Sequence, residues 1–322
     1  MKNKVENDIQ SALKAHKGYS QVFQQDKLTF GFIAPIAGYP NGPIPNMNIF
    51  EKVVRQADES GVDVIWLRDV PFLDPSFGDA GQVYDPMVYG GLLAGMTKRI
   101  AIGTAGIVLP LRDPVIVTKQ AATLDQLSGG RFILGLSSGD RSSEYPAFGS
   151  NYDNRAERYR EATGIIKKLT EESFPSFNTE FYGQFNGSID LIPKPLGHHI
   201  PTIAIGRAGQ SLEWIGENMD GWIWHGEPAR HVALRRKHWN EATNGIDKPY
   251  GYAHFFDLSE NPEEALSFGP NYIGGGRKAL IDFWAQQQQA GLSHAVLNPK
   301  PTLRPADEMI QEFGEYIIPQ FR

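Results

Sequence analysis

Short apolar runs alternate with amphipathic stretches along almost the whole chain, and this alternation constrains the fold more than any other feature. The runs are LTFGFIA (28–34), VDVIWL (62–67), RIAIGTAGI (99–107), RFILGLS (131–137), PTIAIG (201–206), GWIW (221–224), YGYAHFFDL (250–258) and SHAVLN (293–298). Helical spacing fills the gaps at 47–60, 85–96, 114–127, 153–169, 210–218, 228–242 and 277–290. Strands that are apolar on nearly every residue are buried on both faces, as in a parallel sheet sheathed by helices. About eight such strands, each but the last followed by a helix, predict a closed (β/α)8 TIM barrel. The competing fold, an open doubly wound sheet, usually carries a glycine-rich fingerprint in its first strand-to-helix turn. Here that turn reads APIAGYPNGPIPN, with no such fingerprint.

The barrel accounts for residues 28–322 as a single domain. Ahead of it, Val5, Ile9 and Leu13 recur every four residues, so 1–27 reads as an extension with a short amphipathic helix at about 5–16 that covers one end of the core. Residues 173–200 break the rhythm with Pro175, Gly183, Gly187, Pro193, Pro195 and Gly197, and read as an inserted loop or hairpin. Its aromatic residues Phe174, Phe177, Phe181, Tyr182 and Phe185 suit a mobile lid, a dimer contact or a static cover.

Composition narrows the partners. A net charge of −6 over 322 residues argues against nucleic acid, which needs a basic face. The chain has no cysteine, which excludes disulfides, thiolate metal sites and cysteine nucleophiles. No apolar run reaches the roughly 20 residues of a membrane span. The polar start MKNKVENDIQ lacks a secretory pattern, so a cytoplasmic protein is expected.

In a barrel the chemistry gathers at the C-terminal ends of the strands. Those exits read Arg68–Asp69, Thr104, Ser137–Ser138–Gly139–Asp140, Gly206–Arg207, Trp224–His225, Asp257 and Asn298. They hold no cluster at metal-ligand spacing, so no metal is expected. His198 and His199 fall at the opposite end and read as a solvated loop pair. Two segments could hold a phosphate on exposed amides: IGRAGQS (205–211) and IGGGRK (273–278). The barrel tendency favours the second, and either could be only a tight turn.

Four stretches make the chain resemble the bacterial luciferase-like flavin-dependent monooxygenase family. They are ADESGVDVIWLRD (57–69), the long YDPMVYGG…LSGGRFILGLSSGD (84–140), NRAERYREA (154–162) and IPTIAIGRAGQSLEWIGENMDGWI (200–223), with AGLSHAVLN (290–298) closing the match. The resemblance implies a (β/α)8 barrel with an insertion that binds reduced FMN, or in one branch a deazaflavin, at the rim. It implies that Asp69 and Thr104 line the flavin ring, with Ser137, Ser138 and Gly139 close to it. Tyr159 would reach the phosphate or ribityl chain, and Gly209, Gln210 and Ser211 would supply phosphate-binding amides. It thereby favours 206–211 over the triple glycine. Plainer roles stay open: Asp69 capping the turn before Pro71, Thr104 as a strand former, Tyr159 packed in the core.

The activity so implied is a monooxygenase using dioxygen and an organic substrate, with reduced FMN delivered by a separate flavin reductase, since no nicotinamide fingerprint is present. Deazaflavin-dependent hydride transfer and flavin binding without turnover are the alternatives. Family members often form homodimers. Several carry a histidine just after the second strand, but this chain reads RDVPF there. His225 and Asp140 are the remaining titratable candidates for catalysis.

Overall fold

A computed structural model describes residues 2–322, with side chains from Asp8 onward; Val5 of the N-terminal spacing lies outside the described side chains. The strands are β1 (Thr29–Ile33), β2 (Val64–Leu67), β3 (Ala101–Thr104), β4 (Ile107–Val108), β5 (Phe132–Ser137), β6 (Ser176–Asn178), β7 (Gln184–Asn186), β8 (Thr202–Ile205), β9 (Gly221–His225), β10 (Tyr250–Leu258), β11 (Ser267–Gly269), β12 (Tyr272–Gly275) and β13 (His294–Asn298). The helices are α1 (Lys2–Ala15), α2 (Lys17–Val22), α3 (Phe50–Glu59), α4 (Pro86–Met96), α5 (Pro114–Ser128), α6 (Arg155–Glu171), α7 (Leu212–Asn218), α8 (Ala229–Ala242), α9 (Arg277–Gln289) and α10 (Ala306–Glu312). Strands β1, β2, β3, β5, β8, β9, β10 and β13 pair in parallel in that order, and β13 returns to β1. The ring is closed, a TIM barrel.

Alternation along each strand divides two cores. Residues such as Phe30, Phe32, Ile65, Leu67, Phe132 and Leu134 face the helices. Ile33, Val64, Trp66, Ala101, Ile133, Ile203, Ile223 and Val296 fill the interior. Trp66 needs room that only glycine gives. A Cβ on Gly31 would lie 2.6 Å from its Nε1, and one on Gly103 would lie 2.3 Å from its Cε3. The indole N–H donates to His294 Nε2 (3.0 Å), so the imidazole proton sits on Nδ1 and is given to Thr29 Oγ1 (2.8 Å). Complete burial holds His294 neutral, its pKa lowered to about 3.

The N-terminal helices seal the lower end. Leu13, Tyr19 and Val22 join the interior cluster, each such burial contributing on the order of 2 kcal/mol. Gly18 N donates to Gly130 O (2.8 Å), Tyr19 OH to Asp220 O (3.0 Å) and Gln21 Nε2 to Asp63 O (2.7 Å), so α2 is pinned to the loops beneath the strands.

Several expectations change. The third run, expected as one strand over 99–107, is two: β3, then β4 shifted onto β5 beyond a cis Ala105–Gly106 peptide. The last strand is followed by a helix after all, α10, which packs on α3. An antiparallel β11–β12 hairpin, unmarked in the sequence, lies between β10 and α9. Residues 176–186 form the β6–β7 hairpin, its Phe177 and Phe185 rings stacked at 4.7 Å. They rest against Ala122, Ile165, Leu169 and Leu191, bracing α5 and α6. His199 is not a solvated residue. It is buried as a cation between Glu171 (2.9 Å) and Asp220 (2.9 Å), which raise its pKa to about 10 against the desolvation that opposes charge.

Candidate functional site

Above Trp66 the barrel is not filled. Ala105, Ile205 and Ala253 pack on the interior cluster yet stay partly exposed, and Ser137 is half-buried. These residues form the floor of an open bowl at the C-terminal strand ends. It is flat because its members are small or lie flat: Ile205 Cγ1 occupies the space a Cβ on Gly106 (2.9 Å) or Gly135 (3.2 Å) would need. Ala253 and His225 are register partners, so the β9 exit borders the same floor.

One arc of the rim is locked by ion pairs. Asp69 accepts from Arg112 Nε (2.7 Å), Arg112 Nη2 (2.6 Å) and the Val108 amide (3.0 Å). Arg112 also donates to Asp85 (2.8 Å), which caps α4. Arg68 donates twice to Asp79 (2.8 and 3.0 Å) and once to Tyr39 OH (3.1 Å). The loops after β1 and β2 are thereby tied together. Lys300 joins the loop after β13 to them, donating to Tyr39 O (3.2 Å) and Gly42 O (2.8 Å).

The exits of β2, β3, β5, β8 and β9 are neighbours, so Asp69, Thr104, Ser137–Asp140, Gly209–Ser211 and His225 share one arc. Within it, the Asp69 carboxylate is spent on Arg112. Thr104 is fully buried, its hydroxyl donating to Gly135 O (2.8 Å) and accepting from Gly135 N (2.9 Å). Ser137 Oγ donates to Gly106 O (3.1 Å), and the Ser138 carbonyl accepts from Tyr145 OH. Gly139 turns with φ +72, while Asp140 and His225 are exposed. His225 lies edge-on to Trp224 at 4.8 Å. The structure does not bring Tyr159 to this arc. Its hydroxyl is buried between α6 and α7, 4.0 Å from Met219 Sδ. The signal was present: Tyr159, Ala162, Ile166 and Leu169 form one helical stripe.

The two glycine segments differ in openness. At 206–211 the chain winds through φ +74, +50 and +71 at Gly206, Ala208 and Gly209, and nothing lies within 4 Å of a Cβ placed on Gly206. Gln210 anchors the turn rather than offering its amide: its side chain accepts from Arg160 (2.9 Å) and donates to Ala156 O (2.9 Å) and Ala208 O (3.0 Å), and its N–H is spent on Arg207 O (2.8 Å). Ser211 Oγ caps α7 through Trp214 N (3.1 Å). Arg207 is exposed, over the Trp224 ring at 5.8 Å. Such alternating turns with a cation beside them favour anions. The triple glycine has no room. A Cβ on Gly276 would meet Asn261 O at 2.4 Å, the Gly276 amide is spent on Glu264 O (3.0 Å), and Arg277 pairs with Glu312 (2.7 Å).

Sequence reasoning passed over two buried ionisable residues near the rim. His254 on β10 is held neutral by burial, its pKa lowered to about 3, with the backbone of Gly226 flat against its ring. Glu144, beyond Gly139, is also buried. A recess of about 850 Å³ opens at the other end between α2 and the 288–293 turn. Its Arg236 is occupied by Asp247 and Lys248 O, and no strand exit lines it. The bowl, not the recess, joins unspent polar groups to an open floor. Among the described residues no group of three or more His, Asp or Glu could hold a metal, and no helix is long and apolar enough to cross a membrane.

Comparison with known proteins converges on one family. The profile of the luciferase-like monooxygenases matches residues 28–307. An alkanal monooxygenase alpha chain of Photorhabdus luminescens is 36% identical over 168 residues, covering 52% of this chain and 44% of its own. An F420-dependent glucose-6-phosphate dehydrogenase of Kineococcus radiotolerans is 30% identical over 173 residues, covering 52% and 49%. The match thus spans about half the length of such relatives. The solved structure of monooxygenase RslO1 from Streptomyces bottropensis superposes with a TM-score of 0.75 at 16% identity, covering 91% of this chain and 100% of that one.

Proposed function

The chain belongs to the luciferase-like monooxygenase family, whose members are mostly flavin- or F420-dependent oxidoreductases and monooxygenases; from this premise we propose that it binds FMN in reduced form at the bowl and oxidises a small organic substrate with dioxygen. The observation that carries the reading is the open turn at Gly206–Ser211, with Arg207 beside it, adjoining a floor of small residues. The Gly209 and Ser211 amides and Arg207 would hold the phosphate, and the floor of Ala105, Ser137, Ile205 and Ala253 would take a flat ring. Bound reduced flavin supplies the electrons for oxygen activation, and the protein supplies placement and dryness. Thr104, Asp69 and Arg112 act by keeping the β2, β3 and β5 exits rigid around the floor. His225 and Asp140, exposed at its edge, are the groups placed to exchange protons with solvent. A separate reductase would deliver the flavin.

F420 is the second reading, favoured by the F420-dependent relative. Anaerobic titration with reduced FMN and with F420, followed by admission of air, separates them. FMN binding with faster reoxidation and substrate loss supports oxygenation; F420 binding alone transfers the case to hydride transfer; binding of neither overturns the site.

We also propose self-association through α4. That helix has no charged residue, and Val88 and Leu92 on its outer face are 73% and 49% exposed beside Ile116 of α5. A second copy of the chain would cover this face.

A further inference from the structure

The β5 exit continues into a short 3-10 turn, Ser142–Phe148, which folds back so that Tyr145 bonds the Ser138 carbonyl. This turn meets residues 69–84, the loop after β2. Three hydrogen bonds and a ring contact join them: Arg141 Nη2 donates to Asp79 O (2.9 Å), Arg141 Nη1 to Phe72 O (3.5 Å), and Ser143 Oγ to Asp74 Oδ2 (2.5 Å), while the Phe72 and Phe148 rings lie 5.7 Å apart. The guanidinium also lies 4.7 Å over the Phe77 ring. Arg141 is therefore the main hook holding the loop against the β5 exit.

Glu144 sits beside that hook with its chemistry unspent. It is only 5% exposed, and its Oε1 has no hydrogen-bond partner. The Arg141 Nη1 is 3.8 Å from Oε1, near enough for attraction and too far for a hydrogen bond. Asp69 is engaged by Arg112, Asp74 by Ser76 and Ser143, and Asp79 by Arg68 and Tyr39, while Asp140 is exposed. A buried carboxyl oxygen without a donor is at ease only when protonated.

We propose that Glu144 is a positioning residue for the mouth: while its carboxyl is protonated, Arg141 stays on the Phe72 and Asp79 carbonyls and holds 69–84 in place, and when it ionises it draws Arg141 away and loosens that loop. The charged groups around it pull in opposite senses. From its own segment come Arg141 and Asp140, and from the loop after β2 come Asp69 and Asp74, with Arg112 reaching Asp69 from the start of α5. Burial first, then the three aspartates, raise the pKa of Glu144; Arg141 alone pulls it down. The proton leaves to solvent, and no other group need change charge.

The proposal rests on the bowl being the functional site, but its test does not. Hydrogen exchange of amides 70–81 in the cofactor-free protein, corrected for intrinsic rates, reads the loop directly. In the wild type, protection should fall roughly tenfold from acid pH to a pH well above the ordinary carboxylate range. Glu144→Gln, which cannot ionise, should stay protected throughout. Arg141→Gln should exchange fast at both ends. Wild-type protection that does not change with pH, a Glu144→Gln protein that keeps the pH dependence, or an Arg141→Gln protein that stays protected would each overturn the proposal. FMN affinity measured on the same proteins judges the flavin reading separately: loss of binding with the exchange pattern intact leaves Glu144 standing.

Discussion

His199 shows at residue scale how burial turns an ordinary side chain into a pH-dependent strut. Its folded pKa of about 10 lies above the ordinary 6.5, so its stabilisation is complete below about pH 6.5 and fades as pH rises through 10. Asp220 is depressed chiefly by the His199 charge, against burial, so its share is present above its ordinary 3.8 and is lost only in acid. His199→Gln should cost about 3 kcal/mol near neutrality, by stranding Asp220. Calorimetric scans should show the wild-type Tm falling from about pH 7 to about pH 10 while the variant's stays flat over that range; parallel curves would mean that the imidazole is not charged in the fold. Gly139 teaches the opposite caution. Valine there would be a clean steric block only if the backbone tolerated it, but φ is +72 and the Cβ would lie 2.6 Å from Val108 Cγ1. Ser211 is the better probe. Ser211→Asp preserves the α7 cap, so the cofactor-free Tm should hardly move while FMN affinity drops about tenfold from like charge. Unchanged affinity, read by flavin fluorescence, would put the phosphate elsewhere. Which residues stand at the strand exits was legible in the sequence. How they are spent was not: Asp69 and Arg112, or Thr104 and Gly135, meet only after the ring closes, and no local pattern announces a partner that far along the chain.

Elements were legible in proportion to their length. The eight barrel strands announced themselves because both faces are buried, and α4 and α5 because Asp85 and Asp113 each precede a proline at the first helical turn. The β11–β12 hairpin and α2 did not, because elements of three to six residues complete too little of any period to stand out from a loop. The β6–β7 hairpin was visible as a disturbance, but its role needed the structure. Because it leans on α5 and α6, Phe177→Ala should cost about 2 kcal/mol and leave FMN affinity unchanged. A weaker grip on flavin at unchanged stability, by titration and denaturant melts, would make the hairpin a lid.

At the scale of the whole molecule, the outward face of α4 is the feature least at home in water. An outer barrel helix normally presents charge to solvent, whereas this one presents valine, leucine and glycine. Leu92→Glu should convert a dimer to a monomer in sedimentation velocity without lowering Tm; a wild type that already sediments as a monomer would refute self-association. The seal beneath Trp66 has its own kinetic corollary. Among the described residues, the indole across the middle and two helices stoppering the base leave the bowl a single doorway. Two guests sharing a dead end must queue, and the one lodged deeper cannot depart before the one above it. A spent cofactor would then wait on the product, and turnover at saturation would be paced by traffic through that doorway.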